Sequence, residues 1–180
     1  MIPIYPPFNL DIFKMGYIIL YKNDKSLFGN LIVKKQLLAG FNPEDAQYIH
    51  CEISGGEIYS INIAPPLSKL VKINEAHRGR YACLMRYKGY NEDGKRYKVA
   101  YFSAALCANK PYDVGGVLAF ISFLAKWFRQ NNRLYFCSEG CATALQMVYP
   151  QALGMTPDKI MPANFLNPDD FELIWSGIID

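Results

Sequence analysis

The chain has 180 residues, of which 51% are hydrophobic and 19% charged, and its formal net charge is +3. That length supports one domain with a sizeable core, and the composition excludes intrinsic disorder. The small charge, on basic residues spread along the chain, argues against a nucleic-acid partner.

The opening "MIPIYPPFNLDIF" has no basic leader and no continuous apolar run, so it does not read as a signal peptide. Its prolines predict an extended lead-in. "GYIILYK" (16–22) has strand composition, and "SLFGNLIVKKQLLAG" (26–40) has helical spacing that stops at Gly40. "AQYIHCEIS", "GGE" and "IYSINIA" follow as two strand-like runs around a glycine pair, which is a hairpin signal. "LVKI" and "RYACLMRYK" read as further strands. The charged "YNEDGKRYK" reads as a hairpin tip, and "KRYKVAYFSAAL" as a strand leading into a helix. "YDVGGVLAFISFLAKWFRQNN" predicts a long helix with Asp113 complementing its first turn.

Within that helix, "VGGVLAFISFLA" is the most apolar stretch, but it falls short of the roughly 18 residues needed to span a bilayer. A buried helix is expected there, and no transmembrane segment. "RLYF" reads as a short strand. "SEGCATALQMVY" is a helix stopped by Pro150, "TPDKI" a helical turn opened by Thr156 and Pro157, and "FELIW" a last strand. The order of elements predicts a single α+β domain over 1–180 with a mostly antiparallel sheet.

The five cysteines are Cys51, Cys83, Cys107, Cys137 and Cys141, an odd number. They form no C-x-x-C pair and no zinc-type spacing with histidine, so free thiols in a reducing compartment, and no metal, are expected. The cytoplasm is the default location, with a phage-associated or exported protein as the other settings. Cys137 stands apart from the rest. If a helix begins at Ser138, its thiol lies at the helix N-terminus, where unpaired amides and the helix dipole favour the thiolate. Cys141 lies one turn further in and reads as a core residue.

A thiolate nucleophile needs a base, and the chain offers two histidines. His77, in "NEAHRGR", reads as an exposed loop residue. His50 lies on a strand whose alternation places it with Glu52 and Ser54 on one face. If the hairpin loop is Gly55-Gly56-Glu57, Ser54 faces Ile58, Glu52 faces Ser60 and His50 faces Asn62. Asn62 then orients the imidazole in a Cys-His-Asn arrangement. Glu52 is its rival for the third role, two residues from His50 on the same strand.

The order "GYII", "H", "YSINIA", "PYD", "YFCSEGCATAL", "TPDKI" resembles the permuted papain-fold cysteine hydrolases, the YiiX-type branch of the NlpC-like superfamily related to lecithin:retinol acyltransferase. The resemblance covers roughly residues 16 to 175, and "YFCSE" carries most of it. It implies a circularly permuted papain-like fold with a catalytic histidine on an early strand, a polar orienting residue on the next, and a late cysteine at a helix start. It matches Glu139 to the family's acid after the cysteine, and Tyr112 and Asp113 to its Tyr-Asp pair. Ser138 falls in the same motif. Tyr17 stands where the family usually has an acid, and Tyr17 or Tyr135 is read as lining the substrate channel.

The resemblance implies a thiol hydrolase, peptidase or acyltransferase needing no cofactor, acting on a small peptide, a cell-wall peptide or a lipid-acyl group. The alternative is an inactive relative that binds lipid or peptide, or serves as an accessory protein.

Overall fold

A computed structural model describes residues 8–90, 94–116 and 134–180. Six strands form one antiparallel sheet: β1 (Ile18–Lys22), β2 (Tyr48–Gly56), β3 (Tyr59–Asn62), β4 (Lys69–Lys72), β5 (Tyr81–Tyr87) and β6 (Phe171–Ile178). Their spatial order is β4-β3-β2-β1-β5-β6. The helices are α1 (Leu27–Leu38), the single turn α2 (Ile73–Ala76), α3 (Arg96–Cys107) and α4 (Cys137–Val148). The α+β reading and the antiparallel sheet are therefore as expected. Among the described residues, no helix is long and apolar enough to cross a membrane.

β1 is interior to the sheet, and its alternation splits the core in two. Ile18 and Leu20 join Cys51, Ile53, Cys83 and Met85 under α3 and α4. Ile19 and Tyr21 face the other way, with Phe13, Ala82, Leu84 and Trp175. A strand buried on both faces reads as a continuous apolar run, which is why "IILY" has no polar interruption.

α1 begins where the Ser26 hydroxyl accepts from the Gly29 amide at 3.1 Å. It ends before Gly40, whose φ of +93° is the left-handed value that suits glycine. α3 corrects the expected strand at "KRYKVAYF". Its buried residues are Val99, Ala100, Ser103 and Cys107, a helical period, and alanine enriches its C-terminal half. The charged segment is likewise not a hairpin tip, because Gly94 and Lys95 lead into the first turn of α3, while 91–93 lie outside the described residues. The proposed lead-in (1–7) and most of the long helix after Asp113 (117–133) also lie outside them. The described residues of "RLYF", Leu134 to Phe136, form no strand. Tyr135 makes only an isolated parallel bridge with Tyr112.

Candidate active site

Cys137 is the first residue of α4, one position earlier than its sequence suggests. Phe136 is the N-cap, with extended backbone at φ −93° and ψ 170°, and offers no polar side chain to the turn. The Glu139 carboxylate supplies part of the missing cap by accepting from the Phe136 amide at 3.4 Å. The Ser138 hydroxyl donates to the Ile160 carbonyl at 2.6 Å and ties the helix start to the following loop. Glu139 and Ser138 thus build the helix mouth.

α4 packs on β2, and the first half of β2 pairs with β1 alone, since β3 joins it only from Ile53 onward. The unpaired edge leaves room for the Cys137 sulfur to meet two consecutive residues of β2. Hydrogen bonding from the Cys51 thiol holds Cys137 well below the ordinary cysteine value. Burial opposes this, and the His50 ring and the Cys51 amide add to the lowering. Cys51 is pushed up by burial and by its bonds to Cys137 and Cys141. The Tyr112 hydroxyl also lies against Cys137, touching its side chain and its amide.

His50 Nε2 lies 3.1 Å from Glu52 Oε1, and the same ring interacts with the Cys137 side chain. Burial disfavours the imidazolium, but hydrogen bonds and charge from Cys137 and Glu52 outweigh it and push His50 up to about 10. Glu52 is fully buried. Burial alone would raise its carboxyl, yet His50 and His77 together hold it far below the usual carboxylate range. Its second oxygen accepts from the Ser60 hydroxyl at 2.5 Å and the Tyr21 hydroxyl at 3.3 Å. Both oxygens of the carboxylate are thereby engaged. The Tyr21 ring stacks on the His50 ring at 5.7 Å and lies 4.3 Å from the His77 ring. Sulfur, imidazole and carboxylate can together keep a thiolate–imidazolium pair in a site sheltered from water.

Asn62 is not at His50. Ile53 pairs with Ile61 and Ser54 with Ser60, so continuing the register sets Asn62 against Glu52. The reason lies in the turn. β2 continues through Gly55 and Gly56, a bulge lies between Ser54 and Gly56, and the chain reverses at Glu57, at φ +48°. The pairing therefore differs by two residues from that of a Gly55-Gly56-Glu57 loop. An even shift keeps Asn62 on the predicted face, but its Oδ1 is buried without a hydrogen-bond partner.

The remaining candidates divide. Tyr112 lines a small pocket of about 10 Å³ beside Cys137, room for about one water, whose other walls include Ile32, Ile49, Phe136 and Pro162. Asp113 accepts from the Gly116 amide at 2.8 Å, the expected first-turn contact. Tyr135 packs near Gly140 of α4, outside that cavity wall. Tyr17 does not line a channel. It is buried in the other half of the core, its ring stacked on Tyr90 at 6.3 Å. All five cysteines are free and buried. His77, read as an exposed loop residue, is 4% exposed and closes on Glu52. Tyr21 and Ser60 are further contributors to the site. Tyr21 sits inside an apolar run with nothing to mark it, whereas the hairpin pattern itself places Ser60 on the face of Glu52.

A scan against models of known protein families finds no match, and a search of curated proteins finds none either.

Proposed function

We propose that the protein is a cysteine hydrolase or acyltransferase of the permuted papain-like kind, with Cys137 as nucleophile, His50 as general base and acid, and Glu52, in place of Asn62, as the group that orients the imidazole. One observation carries this reading: a thiol at the first residue of a helix, beside a histidine that a buried carboxylate holds in turn. In the proposed reaction the Cys137 thiolate attacks the carbonyl carbon of an amide, ester or thioester. The His50 imidazolium gives its proton to the leaving group. A water or acceptor nucleophile then yields its proton to His50 and attacks the thioester, which returns the thiolate. In this reading the Tyr112 hydroxyl, which lies beside Cys137, donates to the developing oxyanion. The cavity wall beside the sulfur is apolar, which supports an apolar acyl portion over a charged cell-wall peptide.

The second reading, a binding protein that keeps this arrangement without turnover, is favoured by the near-complete burial of Cys137, at 4% exposed. A screen with acyl-ester, thioester and peptide-amide probes, run on the native protein and on Cys137→Ala, decides between them. The enzyme reading expects covalent labelling or turnover that Cys137→Ala abolishes. Reversible binding alone, equal in both proteins, supports the second.

A further inference from the structure

His77 lies 27 residues from His50 in the chain, yet both imidazoles approach one oxygen. Its Nε2 is 2.8 Å from Glu52 Oε1, and His50 Nε2 is 3.1 Å from the same atom. The His77 contact is close but lacks the alignment of an ideal hydrogen bond, and among the described residues no other group hydrogen-bonds either of its ring nitrogens. A buried imidazole with so little local compensation is costly unless the carboxylate it faces requires it. Its placement is also well determined. The His77 amide donates to the Ile73 carbonyl at 3.0 Å to close α2, and its carbonyl accepts from the Arg80 amide at 3.0 Å. The Arg80 guanidinium lies 5.1 Å from the Tyr21 ring, which is itself 4.3 Å from the His77 ring.

We propose that His77 is a positioning residue for the candidate active site: it holds the Glu52 carboxylate in the position from which that carboxylate orients His50. The proposal rests on the cysteine-nucleophile reading and extends it from three residues to a chain of four, Cys137–His50–Glu52–His77. Without His77, one side of Oε1 faces a void. The carboxylate then keeps Ser60 and Tyr21 on its other oxygen and only the single 3.1 Å contact to His50 on Oε1, so that the Oε1–His50 geometry is less tightly fixed. The titratable and charged groups facing this chain are Tyr21 from β1, Cys51 from β2, Arg80 from the turn before β5, and Tyr112 beside Cys137.

The test is the pH profile of Cys137 alkylation by iodoacetamide, read by peptide mass spectrometry on the full chain, in the native protein and in His77→Ala, His77→Met and His77→Gln. Met keeps the bulk beside Tyr21 but offers no donor, and stands in for Ala if Ala does not fold. Gln places an amide N–H near the position of Nε2. The expected result is a roughly tenfold slower reaction near neutral pH for Ala or Met. Its acid limb moves up by about one pH unit as Glu52 and His50 lose their grip on the thiolate, and Gln recovers most of both changes. A role confined to packing lowers the melting temperature and leaves limb and rate in place, which overturns the proposal. Imidazole nitrogen spectra of the unaltered protein give a variant-independent check: a single hydrogen-bonded Nε2–H, from His50 alone, contradicts it. If native Cys137 reacts no faster than the other cysteines, the nucleophile reading itself has failed. A normal native profile with unchanged His77 variants removes only His77.

Discussion

At the scale of single residues, the site depends on a carboxylate, and the two rivals for the orienting role separate cleanly by mutation. Glu52→Gln keeps the volume but removes the charge facing His50, so Cys137 alkylation near neutral pH falls by about 100-fold, in the range of a lost general-base partner. Asn62→Ala changes the same rate by no more than about twofold, because the register sets Asn62 against Glu52 and not against His50; a large loss in this variant returns the role to Asn62. The thiolate–imidazolium pair also marks the stability of the protein. His50 rises from 6.5 to about 10 on folding, so its contribution is full below 6.5 and is lost as pH rises to about 10. Cys137 is lowered from 9.0, so its contribution is full above 9.0 and is lost as pH falls. Where the two windows overlap, below 9.0, the two slopes oppose each other. Above 9.0 only the His50 slope remains, and stability drops by about 1.4 kcal/mol per pH unit up to about 10. Urea unfolding of the native protein minus that of His50→Gln isolates this term. A difference that keeps rising above pH 9.0 contradicts the pair.

At the scale of elements, α4 places its first residue by packing very closely against its neighbours. A Cβ on Gly140 would come within 2.7 Å of Ile63 Cδ1 and 3.0 Å of Cys107 Sγ. Gly140→Ala therefore costs about 1–3 kcal/mol of overpacking, visible as a lower urea midpoint. It also pushes the helix mouth away from β2 and slows Cys137 alkylation; an unchanged midpoint removes the close-packing account. Much at this scale was legible in the sequence. β1 and α1 followed from composition, period and cap, and the start of α4 was off by only one residue. The β2–β3 register was not legible, because two glycines allow both a three-residue loop and a bulge followed by a two-residue reversal, and these differ only in tertiary packing. The first turns of α3 misled for a different reason. Tyr, Val and Phe suit a strand by composition, and the helical period shows only when Ser103 and Cys107 are read with them.

At the scale of the whole molecule, the site is assembled from segments far apart in the chain. Tyr21, His50, Glu52, Ser60 and His77 come from the first half, and Cys137 comes from the second. Alternation identified His50 and Glu52 as neighbours on one face. It could not show that His77 folds back onto the same carboxylate, because a one-turn helix and a short loop carry no period from which burial can be read. Nor did it show how a thiol on one side of the sheet reaches a histidine paired with Tyr21. That depends on β3 stopping short of the His50 end of β2, a property of the sheet as a whole.

The most direct measurement is the relative rate at which iodoacetamide modifies each of the five cysteines near neutral pH, resolved by peptide mass spectrometry, in the native protein and in His50→Ala. The account predicts that Cys137 reacts at least tenfold faster than Cys51, Cys83, Cys107 or Cys141, and that His50→Ala removes most of that advantage. Five equally slow thiols, or a fast Cys137 indifferent to His50, contradict it.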